Sequence, residues 1–242
     1  MFRSGIFTLF SPERIRRLKV SKKQDPEKEL KAKERILKAA SDEFVEYGFY
    51  GARTQRIADR AKVNKALLHY YYSSKENIYE QVLRTVFGIL IERINAIDFE
   101  NGGKTEKVME EILNVYERMF DEYRSHLKLM VYEVISGAKH MPKIIIENFS
   151  KIPFNPVNGK LYKYLSKEMK EGRMKKVNIY QFLISFIVQL APVYMVKPMA
   201  EDIAGKIGFN RLIVGKFVKD RKKYIMDNFK SSMLPEDKRR KQ

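Results

Sequence analysis

The sequence predicts an all-α protein, with a module of three short helices near the N-terminus and a larger helical domain after it. Apolar residues recur every three or four positions along most of the 242 residues, which is the spacing of one buried helix face. Glycine and proline are sparse, at 12 and 8 residues, and most lie between the periodic segments, which favours long helices over many short strands. Hydrophobic residues make up 44% of the chain, so a core can form.

The first predicted helix begins at Asp25 and Pro26. Asp suits a helix N-cap, and Pro suits the following position because its missing N–H would have no helical partner there. Gly48 marks the end of this helix, since Gly is the commonest residue just after a helix. The apolar stripe that we expect to be buried consists of Leu30, Ile36, Leu37, Ala40, Phe44 and Tyr47.

Two short helices are predicted next. Thr54 is expected to cap the second helix, and Lys62-Val63 to form the turn that follows, with Val63 at the centre of the core. Asn64 is expected to cap the third helix, which runs to about Tyr71. The residues predicted to be buried in the second helix are Ile57, Ala58 and Ala61.

Ser73 and Glu76 have the S-x-x-E spacing of a capping box, which predicts the start of a fourth helix. Short helices joined by such tight turns are typical of a helix-turn-helix module. The rest of the chain keeps the helical pattern. Its predicted segments run from 76 to a break at Gly102-Gly103, from Met109 to Tyr123, from His126 to Gly137, over 142–170 with interruptions at Pro153 and Pro156, from Asn178 to Met195, and over 210–229.

These patterns divide the chain into four parts: a flexible basic leader (1–24), a helix-turn-helix domain (25–75), a helical domain (76–232) and a basic tail (233–242). The formal net charge is +18, from 48 Lys and Arg against 30 Asp and Glu. Such a surplus attracts polyanions, although a solvated basic surface is the alternative. The leader could reach a DNA groove or phosphate as an arm, or be a plain tail.

Several function classes lack support in the sequence. There is no Cys, so disulfides and thiolate chemistry are excluded, and the three His residues are scattered. No phosphate-binding glycine loop or paired-carboxylate motif stands out, so we expect neither an enzyme nor a bound cofactor or metal. No run of about 18 uninterrupted apolar residues exists, so we expect a cytoplasmic protein without a membrane span. A basic membrane-surface protein remains the alternative.

Residues 32–82 closely resemble the N-terminal domain of the tetracycline-repressor (TetR) family. This resemblance implies a DNA-binding transcriptional regulator, and most often a repressor. The matching residues are Arg35-Ile36-Leu37-x-Ala39-Ala40, Phe44-x-x-x-Gly48, Thr54-x-x-Ile57-Ala58-x-x-Ala61-x-Val63 and Leu68-x-Tyr70-Tyr71-Tyr72-x-Ser74-Lys75-Glu76.

By the same resemblance, the third helix presents its outer side to the major groove of double-stranded DNA. Lys62 departs from the family, which usually has Gly there, and a left-handed conformation would cost a non-Gly residue roughly 1 kcal/mol. Tyr72 is expected in the core, whereas the place of Tyr71 is left open. The predicted DNA-binding residues are Arg53, Thr54, Gln55, Lys62, Asn64, Lys65, Ala66, His69, Tyr70 and Lys75.

The resemblance also implies that the C-terminal domain forms a homodimer, binds a small and largely apolar effector, and thereby leaves a palindromic operator. Helices 178–195 and 210–229 lie where the family has its dimer helices, with a simple core role as the alternative. The predicted dimer residues are Phe182, Phe186, Leu190, Phe217 and Ile225. The candidate effector pocket, for which plain core is again the alternative, consists of Tyr116, Met119, Phe120, Tyr123, His126 and Met130.

Overall fold

The computed structural model describes residues 26–100, 104–207 and 212–235. The predicted leader (1–24), the cap at Asp25, the break at Gly102-Gly103 and the basic end of the tail (236–242) lie outside these residues. Helices dominate the described residues and no strand occurs among them, which confirms the all-α prediction.

The helices keep the predicted order, but two predicted segments are divided: 142–170 into Met141–Glu147 and Lys160–Lys170, and 178–195 into Ile179–Val188 and Ala191–Lys206. The helices are α1 (Pro26–Gly51), α2 (Thr54–Ala61), α3 (Lys65–Tyr72), α4 (Lys75–Asn95), α5 (Thr105–Ile135), α6 (Met141–Glu147), a 3₁₀ turn (Phe149–Lys151), α7 (Lys160–Lys170), α8 (Ile179–Val188), α9 (Ala191–Lys206) and α10 (Leu212–Met233).

The chain folds as two compact units that differ from the predicted domains. The first unit comprises Met1–Leu90 and Asp121–Phe149, and the second comprises Ile91–Phe120 and Ser150–Gln242, each to the extent that the structure describes it. The helix-turn-helix module therefore shares a unit with most of α4 and the second half of α5. Aromatic packing is one reason that α4 shares this unit with α1: the ring of Tyr79 on α4 meets that of Phe44 on α1 edge-on, with centroids 4.9 Å apart.

Helix α1 buries its apolar stripe as predicted, except for its last member. Ile36, Ala40 and Phe44 are fully buried. Tyr47 is exposed instead, and its ring lies 4.1 Å from the Arg56 guanidinium. Gly48 has a φ of 66° inside the segment Pro26–Gly51, so the regular helix breaks at the predicted residue and a single further turn follows.

Helix α5 joins two segments that the sequence pattern separates. The helix runs without a gap from Thr105 to Ile135, and Tyr123 within it has a non-helical φ of −123° and ψ of 24°. Buried residues continue at helical spacing across the kink, at Phe120, Tyr123, His126 and Leu129. Beyond the kink, buried His126 is hydrogen-bonded to buried Ser41 of α1.

The second unit has an aromatic core. Phe182 and Phe186 of α8 lie with ring centroids 5.6 Å apart, and both contact Phe229 of α10, at 5.9 and 5.8 Å. Leu190 and Ile225 are each only 1% exposed. Four of the five predicted dimer residues are buried in the core of the second unit: Phe182, Phe186, Leu190 and Ile225. Phe217, the fifth, is exposed.

The second unit also exposes apolar stripes on α8, α9 and α10, and α9 packs against both of the other helices. Exposed residues four or seven positions apart share one helix face. The stripe residues are Tyr180, Ile184 and Val188 on α8, Met195, Met199 and Ile203 on α9, and Phe217 and Tyr224 on α10. We call this set the exposed apolar stripes.

The stretch Ile179–Lys206 has the length and mean hydropathy, 1.7, of a membrane-spanning helix. The sequence analysis expected no membrane-spanning segment because it looked for uninterrupted apolar runs. This stretch passes the test of length and mean hydropathy although it includes polar residues. Its buried residues, such as Phe186 and Tyr194, belong to the core of the second unit. A helix that packs one apolar face in the core and exposes a second apolar face has the same mean hydropathy as a membrane-spanning helix.

Candidate nucleic-acid interface

The turn between α2 and α3 has the geometry of a helix-turn-helix. Lys62 has a φ of 55° and a ψ of 48°, the left-handed conformation predicted at this position. Its backbone N–H donates to the Asp59 carbonyl at 3.1 Å, and the Val63 N–H donates to the Ala58 carbonyl at 3.1 Å. Ala58 is fully buried, whereas Val63 is half-buried and does not fill the centre of the core as predicted.

The helix caps partly follow the prediction. Asn64 caps α3, because its Oδ1 accepts the Leu67 N–H at 2.6 Å. Thr54 is not a cap: it is the first residue of α2, and Arg53 precedes it without a side-chain cap. The cap of α4 is Ser74 rather than Ser73, since the Asn77 N–H donates to the Ser74 Oγ at 3.1 Å.

Ser73 instead ends α3, with a φ of 61° and its N–H bonded to the His69 carbonyl at 2.8 Å. One residue cannot both end α3 in this conformation and begin α4, so the cap moves one position along the chain. Glu76 lies in the first turn of α4. The pKa of its carboxyl group is lowered, and the largest cause is a hydrogen bond from its own backbone N–H.

Helix α3 has two distinct faces. Leu68 and Tyr72 point inward, and Tyr72 Oη lies 3.5 Å from the Lys33 carbonyl, which confirms the core role predicted for Tyr72. Burial raises the pKa of Tyr72. Tyr71, left open by the sequence, is half-buried with its ring 5.1 Å from the Lys33 Nζ. The opposite face is exposed and carries Lys65, Ala66, His69 and Tyr70.

Tyr70 is the largest side chain on this outer face, and 59% of it is exposed. Its ring contacts that of Tyr71 at 5.3 Å. His69, beside it, is tied to its own helix end by a contact of 3.1 Å between its Nδ1 and the Ser73 carbonyl. An exposed aromatic ring at this point of the helix is available to a ligand rather than required by the fold.

The remaining predicted DNA-binding residues lie around α2 and the start of α4. Arg53 and Gln55 are exposed, and Gln55 donates to the Asp59 carboxylate at 2.9 Å. Lys75 differs from a free surface lysine. Its Nζ donates to the Ala52 carbonyl at 3.2 Å and lies 4.7 Å from the Phe49 ring centroid, so it also holds the first unit together.

A buried acidic residue beneath α2 escaped the sequence interpretation. Glu43 of α1 is fully buried and accepts the Arg53 backbone N–H at 3.0 Å and the Arg56 Nε at 2.6 Å. This hydrogen bond is the largest cause of a raised pKa at Arg56. The available signal was its position: Glu43 lies beside Phe44, within the turn of α1 that faces α2.

The described residues contain no group of three or more side chains able to hold a metal ion. Two of the three His residues have structural partners inside the first unit. His126 contacts Ser41, and His140 lies with its Nδ1 3.1 Å from the Glu133 carboxylate.

Residues 36–82 match the family model of bacterial regulatory proteins of the tetR family. Over these residues the chain is similar to the tetR family. The match covers α2, α3, the end of α1 and the start of α4, which are the elements whose geometry is described above.

Two curated relatives illustrate the likeness. The chain is 33% identical over 106 residues to the HTH-type transcriptional regulator RutR of Escherichia coli K12, over 44% of this chain and 49% of RutR. It is 29% identical over 100 residues to the biofilm operon negative transcriptional regulator IcaR of Staphylococcus aureus, over 41% of this chain and 52% of IcaR. The chain thus spans about half the length of each of these relatives.

A solved structure extends the likeness at the level of fold. The transcriptional regulator SCO4942 from Streptomyces coelicolor matches with a TM-score of 0.58 at 21% identity, over 84% of this chain and 99% of the other. Both relatives named above are transcriptional regulators.

Proposed function

We propose that this protein is a transcriptional regulator that binds double-stranded DNA in a sequence-specific manner, most simply as a repressor. The observation that carries the proposal is the outer face of α3, where Lys65, Ala66, His69 and Tyr70 are exposed together while Leu68 and Tyr72 hold the helix from behind. A helix supported in this way fits the major groove, and its N-terminal residues reach base edges.

Charge supports the same function. The chain carries a net charge of +18, which favours association with a polyanion. Lys62 and Lys65 flank the start of α3 with exposed side chains, and the helix dipole adds partial positive charge there. Phosphate contacts by such groups position a protein on DNA, whereas base contacts by the outer face select the sequence. Arg53, Thr54, Gln55 and Lys75 are proposed as further contacts around this centre.

We further propose that the protein acts as a homodimer through the exposed apolar stripes of the second unit. Water-exposed stripes on three consecutive helices are unusual for a monomer and mark an interaction surface. A second copy would cover them, and two copies of α3 would then read the half-sites of a palindromic operator. This assignment replaces four of the five dimer residues predicted from sequence and retains Phe217.

A small, largely apolar effector is proposed as the regulator of DNA binding. In the second unit, Met119 is fully buried and the Phe120 ring stacks on that of Tyr194 at 5.1 Å, with Tyr116 half-buried on the same helix. These apolar groups suit an apolar ligand. Of the other candidates, Tyr123, His126 and Met130 belong to the first unit. Such a ligand would act by its differential affinity for two states of the dimer.

Tyr70→Ala tests the DNA-binding proposal. We expect operator affinity to fall by about 1–3 kcal/mol, the usual worth of a base-reading contact, while the free energy of unfolding changes by less than about 0.5 kcal/mol because the ring is exposed. Tyr132→Ala, at another exposed tyrosine of the first unit, is the matched control and should change neither. Fluorescence anisotropy measures binding to the duplex that the wild-type protein selects from random DNA. Urea unfolding measures the free energy of unfolding. Equal binding by both variants would contradict the proposed role of α3.

A further inference from the structure

Helix α2 is attached to α1 at both of its ends. At its C-terminal end, the Arg35 Nε of α1 donates to the Ala61 carbonyl at 3.1 Å. At its N-terminal end, the Glu43 Oε1 accepts the backbone N–H of Arg53, the residue just before the helix, at 3.0 Å. A carboxylate at this end also complements the helix dipole. The two contacts define where α2 lies along α1.

Two arginine side chains of α2 converge on the same buried carboxylate. The Arg56 Nε and Nη2 both lie 2.6 Å from the Glu43 Oε1, and the Arg60 Nη2 lies 3.6 Å from its Oε2. Glu43 is 0% exposed, whereas both arginines remain partly exposed. A buried carboxylate is tolerated only with such partners, so α2 must present these groups at this point.

The same arginines make further contacts that lock their side chains. The Arg56 Nη2 also donates to the Gly51 carbonyl at 2.8 Å, and its guanidinium lies over the Tyr47 ring. Arg60 pairs with Glu46 at 2.8 Å on the surface of α1. Arg56 and Arg60 are therefore paired with groups of the protein itself, although α2 belongs to the DNA-facing module.

We propose that Glu43 is a positioning residue for DNA recognition: it fixes the rotation and register of α2 against α1, and through the turn at Lys62 it fixes the direction in which α3 faces the bases. This inference rests on the proposed DNA-binding function. Buried ionic groups have their best-attested use in specifying one arrangement over its alternatives. Loss of Glu43 would accordingly weaken the choice of sequence more than the attraction to DNA, which comes from exposed lysines.

The test uses the full-length protein and two duplexes: the consensus that the wild-type chain selects from random DNA, and a scrambled duplex of the same composition. Glu43→Gln keeps the size of the side chain and removes its charge. Glu46→Gln is the matched control, because Glu46 lies on the same helix and binds the same Arg60 but is exposed. Urea unfolding at the start shows which variants are folded.

We expect Glu43→Gln to bind the consensus at least about tenfold more weakly, a loss of about 1.4 kcal/mol, with scrambled-duplex affinity and salt dependence within about twofold of wild type. Glu46→Gln should match wild type on both duplexes. If Glu43→Gln does not fold, Arg56→Lys decides, since it keeps the charge but loses the paired Nε and Nη2 contacts to Glu43, and it should show the same selective loss.

Two results would overturn the inference. One is a parallel loss on both duplexes in the folded variant, and the other is behaviour indistinguishable from Glu46→Gln. A wild-type chain that selects no consensus is a different outcome, because it removes the proposed function itself.

Discussion

Lys62 carries backbone strain at the centre of the helix-turn-helix. Its left-handed conformation closes α2 and directs the chain into α3, and a side chain with a Cβ resists that conformation. The hydrogen bonds of the turn use only backbone atoms, so a substitution at Lys62 can change the strain without removing them. A lysine here places an exposed positive charge beside α3, which a glycine would not provide.

Lys62→Gly is therefore predicted to raise the free energy of unfolding by about 1 kcal/mol and to weaken DNA binding at the same time. Urea unfolding measures the first effect, and duplex titration at several salt concentrations measures the second. Lys65→Gly is the matched control: it removes the same charge from a helical residue and should lower the free energy of unfolding. Destabilisation by both substitutions would show that the left-handed conformation carries no strain.

The sequence identified several residues for physical reasons that are local. Asn64 caps α3 because capping depends on a few neighbouring positions, and Tyr72 is buried as the family resemblance implied. Ser73 was misassigned because the S-x-x-E spacing takes no account of how the previous helix ends. Glu43 was missed because a buried carboxylate depends on arginines 13 and 17 positions away, whose side chains become its partners only in the folded module.

At the scale of single elements, α5 shows the limit of periodicity. The sequence pattern separates Met109–Tyr123 from His126–Gly137, whereas the structure has a kink at Tyr123 within one helix. Beyond the kink, His126 is buried and hydrogen-bonded to Ser41 of α1, so this helix supports the helix-turn-helix module from within the first unit.

Burial lowers the pKa of His126 from 6.5 to about 4. A group whose pKa is lower in the folded state gives stability that is present above pH 6.5 and is lost as the pH falls towards 4. Between pH 7 and pH 5 we expect wild type to lose about 2 kcal/mol more unfolding free energy than His126→Gln, which can still hydrogen-bond Ser41 but does not titrate. Urea unfolding at both pH values gives the comparison, and identical losses in the two proteins would contradict it.

At the scale of the whole molecule, sequence predicted the all-α class and the location of the module but not the two units. Helical spacing shows that a face is buried without showing what covers it. The stretch 182–191 was predicted to be buried against its own domain and a partner; Phe182 and Phe186 face the core of the second unit, and Ile184 and Val188 are exposed. The exposed apolar stripes became visible only once the buried faces were known.

Met199→Glu tests the role of these stripes. Met199 is 59% exposed on α9, so the substitution should leave the fold intact, whereas two carboxylates brought into an apolar interface would oppose each other. We expect a dimeric wild type and a monomeric variant by light scattering. Val157→Glu, at an exposed valine outside the stripes, should remain dimeric. A monomeric wild type that floats with anionic vesicles would instead indicate a membrane-facing surface.

Selection of bound sequences from random duplex DNA by the wild-type protein tests the central claim most directly. We expect enrichment of an inverted repeat whose half-sites are centred about one helical turn apart, because two copies of α3 must enter successive major grooves. Recovery of unenriched DNA, bound with the same affinity as any other duplex, would contradict sequence recognition by the outer face of α3.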